Sequence, residues 1–254
     1  MDAREQDDIS AARELFDSDV PAAYAPEDYR PPRLLAKIAT AGLLFHGLCL
    51  SLAVWVYAVA YHLAGQRLAG EQVSTDLAHR ALERAETLPA LVLLTTLVSA
   101  LTYSFWFYRV AKNAQAFNGP LSCSPGMAVG CFFIPIYNLW RPYQVTSEVW
   151  RASQADGPRP VLVTTAPGAP GWILVWWLLW TISGILMNFA TSDLRSGLSL
   201  SPEQMQTTAL WTLIGLAMNV ISLVLGICVV WGISRRQERA AASMMPAARV
   251  VNAG

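Results

Sequence analysis

Arg109 and Asn113 stand four residues apart in the run FWFYRVAKNAQAF, a spacing that puts both side chains on one face of a helix. A guanidinium beside a carboxamide is suited to an anion, because the arginine fork matches two oxygens of a phosphate or carboxylate and the amide adds a directed hydrogen bond. Arg141 or Arg151 would complete such a site, with Asn138 and Glu148 as its polar neighbours. Its chemistry would be recognition of a lipid headgroup or another phosphate. A structural reading competes: Arg109 reaches the membrane surface along its aliphatic stem, while Asn113 ties loop carbonyls to the helix. Glu148 and Arg151, three apart, would form a surface ion pair worth at most about 0.5 kcal/mol. Alternatively, Glu148 pairs with Arg109 and locks loop to helix.

His46, Asn188 and Asn219 are polar residues set within long apolar runs. An ionisable group at such depth is a functional hypothesis by default, and a neutral imidazole bonded to a neighbouring helix is its plainer alternative. His62 and His79 lie too far along the chain to join His46 as haem ligands. Cys49 and Cys228 sit inside apolar runs, and Cys123 and Cys131 flank a Ser-Pro-Gly turn without a nearby histidine. That spacing fits neither a zinc site nor a disulfide framework, so the four read as free thiols. The sequence holds no HExxH, GxSxG or Walker-type phosphate loop. No catalytic, cofactor or metal site is expected, and enzyme chemistry has no support.

The elements that position these residues follow from composition. With 54% apolar and only 14% charged residues, the chain is too hydrophobic for an ordinary soluble domain of its length. Its formal net charge of zero gives no global field for nucleic acid, so none is expected as a partner. Residues 1–33 carry nine acidic residues and four prolines with no apolar period, which reads as a disordered acidic tail. Spans are expected at 38–61, 88–108, 171–190 and 209–233, each long enough to cross a bilayer. A short surface helix is expected in EQVSTDLAHRALERAE, with Val73, Leu77 and Ala81 at helical spacing. Ser201-Pro202-Glu203-Gln204 predicts a capping box at the start of the last helix. Residues 237–254 read as a flexible tail, so the membrane domain is 34–236.

Fourteen of the eighteen Lys and Arg lie on one side of these spans; Arg67, Arg80, Arg84 and Arg195 lie on the other. The positive-inside rule then puts both termini and the loop 109–170 in the cytoplasm, with the protein in the plasma membrane. Within that loop, Met127–Trp140 is apolar but only 14 residues long and broken by Pro135. It is too short to cross, so it lies at the interface or enters as a re-entrant element covered by other helices. After Pro142, Val145, Val149 and Ala152 form an apolar stripe flanked by Trp150, with Gln144, Glu148 and Arg151 facing away. That pattern predicts an amphipathic helix in the headgroup plane.

Four linked motifs carry a resemblance: Trp106-Phe-Tyr-Arg109-x3-Asn113, Ser124-Pro125-Gly126-Met-Ala-Val-Gly130, Pro135-Ile-Tyr-Asn138-Leu-Trp140-Arg141-Pro142-Tyr143-Gln144, and Glu148-Val-Trp150-Arg151-Ala-Ser153. From Ile38 to Arg235 the chain resembles the bacterial domain-of-unknown-function 4328 family, which implies a bacterial integral membrane protein without an assigned activity. It departs from the family at Cys131-Phe132, where a second bulky aromatic pair is expected.

The fold expected is therefore all-α, a four-helix transmembrane bundle with a cytoplasmic re-entrant or interfacial segment and an amphipathic helix. An interaction or scaffold protein acting through its cytoplasmic loop, on membrane lipids or a protein partner, is the first functional expectation. A small channel or transporter is the alternative, and a lipid-modifying enzyme the third class. Arg109 and Asn113 are expected to touch the 134–151 loop. One further pattern concerns packing. Trp180 to Asn188 and Trp211 to Asn219 both read WTxxGxxMN, which predicts that Gly184 and Gly215 meet across a hairpin with Asn188 and Asn219 turned inward.

Overall fold

Because an apolar run in lipid has no water to satisfy its peptide groups, it must bond within itself, and the helix does so residue by residue. The computed structural model of the protein describes residues 28–71, 75–118, 121–154, 168–190 and 201–251, with side chains omitted at 75–87, 118 and 244–251. The helices are α1 (Arg33–Leu68), α2 (Thr75–Asn118), α3 (Pro125–Gly130), α4 (Arg141–Ala152), α5 (Gly171–Ala190) and α6 (Pro202–Val251), with a 3-10 turn at Tyr137–Leu139. The described residues contain no strand. Four stretches are long and apolar enough to cross a membrane: Arg33–Leu68, Leu88–Phe117, Gly171–Ala190 and Pro202–Ser243. The protein is thus all-α with the expected four spans, and the third has the expected limits.

Three boundaries differ from expectation. The surface helix before the second span is not separate, since α2 continues through Pro89 without a break. Residues 1–27 of the expected acidic tail lie outside the described residues, but Tyr29 is packed, its ring 5.4 Å from that of Phe117. At the other end, α6 runs on to Val251 through the segment expected as a flexible tail. Gln237, Ala240 and Ala241 are buried there, continuing the face of Val230 and Ile233 at helical spacing. The predicted capping box is present: Gln204 N donates to Ser201 Oγ at 3.3 Å and Ser201 N to Gln204 Oε1 at 2.9 Å.

α1 packs on both α2 and α6, and α5 packs on α6. At the end holding α3 and α4, here termed the loop side, the space between α2 and α5 is filled by the broken apolar run. Phe132 meets Tyr103 and Phe107 of α2 at 5.8 and 5.4 Å between ring centroids, and Trp177 and Trp180 of α5 at 6.5 and 6.3 Å. Trp180 lies nine residues into α5, about 14 Å along its axis. The element therefore enters between the helices rather than lying across their ends. Its peptide groups are met locally, Asn138 N donating to Ile134 O at 2.8 Å, and by the Trp177 indole, which donates to Leu139 O at 3.3 Å. On this element Phe133 and Ile136 are 60% and 68% exposed. The departure at Cys131-Phe132 costs no packing, because Cys131 is fully buried and Phe132 is the hub of this aromatic cluster.

α4 also differs from expectation. Val145 and Val149 are fully buried in one cluster with Val110, Ala111 and Ala114 of α2, so the apolar stripe meets protein instead of lipid. Trp150 explains the docking. A Cβ on Gly232 of α6 would come within 2.5 Å of its ring, so the glycine provides the slot the indole fills. Arg236 lies over that ring at 4.1 Å and Trp172 meets it edge-on at 5.4 Å.

The repeated WTxxGxxMN pattern is half right. A Cβ on Gly215 would meet Met187 Cγ at 2.8 Å and Ser183 O at 3.6 Å, whereas one on Gly184 would meet nothing within 4 Å. Asn219 donates to Ser183 Oγ at 3.4 Å, but Asn188 is exposed and donates to Gly184 O of its own helix at 2.9 Å. Ser183, one residue earlier and so about 100° round the helix, occupies the place expected for Gly184. Gly215→Leu is therefore expected to lower stability by about 1–3 kcal/mol through overpacking, and Gly184→Leu by much less. Thermal unfolding of both variants in detergent checks this, equal losses counting against the assigned rotation of α5.

Candidate functional site

The loop side is built around Asn113, which is fully buried. Its Nδ2 donates to Arg30 O at 2.8 Å and to Gln237 Oε1 at 3.0 Å, while its Oδ1 accepts from Arg30 N at 3.2 Å. Gln237 in turn donates to Val110 O at 2.8 Å and to Ser153 Oγ at 3.1 Å, and Ser153 donates to Val149 O at 2.6 Å. All four amide hydrogens are used, so the two carboxamides lock each other's orientation. The network ties the segment before α1 to α2, the end of α4 and α6. Desolvated groups with every bond made rigidify a structure, and any one left unpaired is costly.

Asn113 is thus committed to protein partners and contributes nothing to an anion site with Arg109. No hydrogen bond among the described residues joins this pair directly to 134–151; Asn113 is bonded to α4 through Gln237 and Ser153. Arg109 is half-buried and has no hydrogen-bond or ion-pair partner among the described residues, and neighbouring Lys112 is exposed in the same condition. Arg141 donates through Nη2 to Ser122 Oγ at 2.7 Å and through Nη1 to Gln144 Oε1 at 3.0 Å. The Ser122 hydroxyl donates to Glu148 Oε2 at 2.5 Å, so a serine bridges the two charges and pins residues 121–123 to α4. Glu148 is paired with neither Arg151 nor Arg109, contrary to both expectations, and Arg151 Nε donates to Ser147 O at 3.2 Å. Asn138 keeps its side-chain oxygen buried with no partner among the described residues.

Within the spans, His46 is buried and its Nδ1 lies 3.0 Å from Thr95 Oγ1. Thr95 Oγ1 also lies 3.0 Å from Val92 O, to which it donates; with the hydroxyl turned that way its oxygen accepts from an imidazole protonated on Nδ1. At the opposite end a cleft of about 370 Å³ opens between α5 and α6, lined by Leu186, Phe189, Thr207 and Trp211 among others. Among the described residues, none that lines it is charged. No cluster of three or more His, Cys, Asp or Glu able to hold a metal occurs among the described residues. Burial pushes the Cys131 thiol up to about 12 and raises that of Cys123, so neither is a ready nucleophile at neutral pH.

A family model described as Domain of unknown function (DUF4328) matches residues 69–237. The chain belongs to this family. The match begins after α1 and ends on Gln237, so it takes in the loop side from Arg109 to Ser153 and the buried glutamine but leaves out Arg30, whose backbone Asn113 holds. No curated protein and no solved structure matches the chain. As a DUF4328 member with four apolar helices of membrane-spanning length, it is an integral membrane protein of unassigned activity.

Sequence reasoning missed Gln237, Ser153, Ser122 and the Trp150 slot. The signal for Gln237 was present, since 230, 233, 237, 240 and 241 share one helical face, but the arginines at 235, 236 and 239 mask it.

Proposed function

We propose that this protein is a scaffold or interaction protein of the cytoplasmic membrane, with the loop side and both chain ends in the cytoplasm. The excess of Lys and Arg on that side supports the orientation. One observation carries the functional reading: the polar groups of the loop side form a pinned platform, while Arg109 and Lys112 on its rim have no partner among the described residues. Rigid elements with unspent cations favour recognition of an acidic partner surface. Inside the spans, His46 and Asn219 are bonded to neighbouring helices, an arrangement suited to holding helices together.

A photo-crosslinking residue placed at Lys112 or Gln144 in native membranes is expected to give one discrete protein adduct, and the same residue at exposed Leu68 none. Adducts with lipid alone at both loop-side positions would overturn the reading. Solute flux into liposomes carrying the purified protein, abolished by His46→Leu, would favour a channel instead.

A further inference from the structure

We propose that the acidic N-terminal segment, Met1 to Glu27, docks on the cationic rim of its own loop side. Three observations carry this. Residues 1–27 contain eight acidic residues against two arginines, a formal charge of −6. The rim bears the opposite sign: Arg33, Lys37, Arg109, Lys112, Arg235 and Arg239 have no carboxylate partner among the described residues. The point at which the segment joins the fold is fixed beside that rim, because Asn113 binds both backbone groups of Arg30 and Tyr29 packs on Phe117.

Proximity makes the contact intramolecular. Residues 1–27, joined to the fold at Asp28, can extend at most roughly 90 Å, enough to reach any point of the loop side. Lys112 adjoins the residue that clamps Arg30, so the local concentration of carboxylate around it is set by the tether and not by the solution. The attraction acts over a Debye length of about 8 Å at physiological salt. An acidic partner or anionic lipid would have to displace the segment to reach these cations, which makes it a built-in competitor. The contact does not depend on the scaffold reading, since it concerns only charges within this chain.

Carbodiimide coupling tests it cleanly, because the sequence contains two lysines, Lys37 and Lys112. The full chain in nanodiscs containing anionic lipid is treated with a zero-length carbodiimide, digested and read by mass spectrometry. The expected product joins a carboxylate of residues 1–27 to Lys112, is lost in Lys112→Arg, and disappears in about 1 M salt, where the Debye length is about 3 Å. In a full-length variant with the acidic residues of 1–27 changed to Asn and Gln, acylation of Lys112 by a neutral ester is expected to rise several-fold. Coupling of Lys112 only to Glu148 or Glu238, unchanged acylation, or links found only between isotopically distinct molecules would each overturn the proposal.

Discussion

Replacing Gly232 with leucine is expected to release α4 from the bundle and to cost about 3 kcal/mol or more, the upper end of overpacking. The first added carbon would already lie 2.5 Å from Trp150 Cζ3 and 2.9 Å from Cη2, and the ring has nowhere to go. Arg236 covers one face and Trp172 abuts its edge, so the clash is relieved only by moving the helix that carries the tryptophan. Thermal unfolding in detergent should show a large drop for Gly232→Leu and a smaller one for Gly232→Ala. Shrinking the ring by Trp150→Leu in the Gly232→Ala background should recover part of the loss, which a double-mutant cycle would register as coupling. Additive losses would mean that the two residues do not share the slot.

The second large effect is expected at Asn113. Asn113→Leu removes three hydrogen bonds at once and leaves the Arg30 N–H and C=O, part-buried, and the buried Gln237 carbonyl without these partners. At about 1–3 kcal/mol for each unsatisfied group, partly relieved by relaxation, a loss of about 3 kcal/mol is expected. Limited proteolysis should then cut near Arg30 far faster than in the parent chain. Changing Gln237 to leucine as well should cost less than the two single losses together, because each amide already lacks its partner. If Asn113→Leu left both stability and proteolysis unchanged, the network would be incidental.

How much of this was legible beforehand depends on which physical rule wrote the pattern. Lipid demands long unbroken apolar runs, so the four spans were readable in place and the third in its limits, while the apolar helices of the other three run past the expected ends, to Arg33 and Leu68, to Phe117, and to Pro202 and Ser243. The capping box at Ser201 was readable for a similar reason, being a local exchange of hydrogen bonds fixed by spacing. Rotation about a helix axis was not readable, because in the membrane both faces of a span are apolar and no amphipathic stripe marks the inner one. That is why the shared motif predicts a contact for both glycines whereas the structure has one at Gly215 and none at Gly184. At the loop side the i, i+4 spacing of Arg109 and Asn113 gave a common face but not a common role. A short amide can be swallowed by the core where a long guanidinium one turn away stays half out. The partners of Asn113, at 30 and 237, lie so far away in sequence that no local pattern announces them.

The packing of α1 against α6 has a consequence for how the protein is made. The first helix leaves the ribosome well before the last, and at roughly 5–20 residues per second the interval is on the order of 10–40 s. During it α1 has α2 as a neighbour, and His46 can find Thr95, but the surface that α6 will cover stays open to lipid. The loop-side network has the same timing, since Gln237 emerges after every other member. Closure of the bundle therefore waits on α6, and a chain cut short before that helix would be left in the membrane with its inner faces uncovered, recognisable to quality control as unfinished.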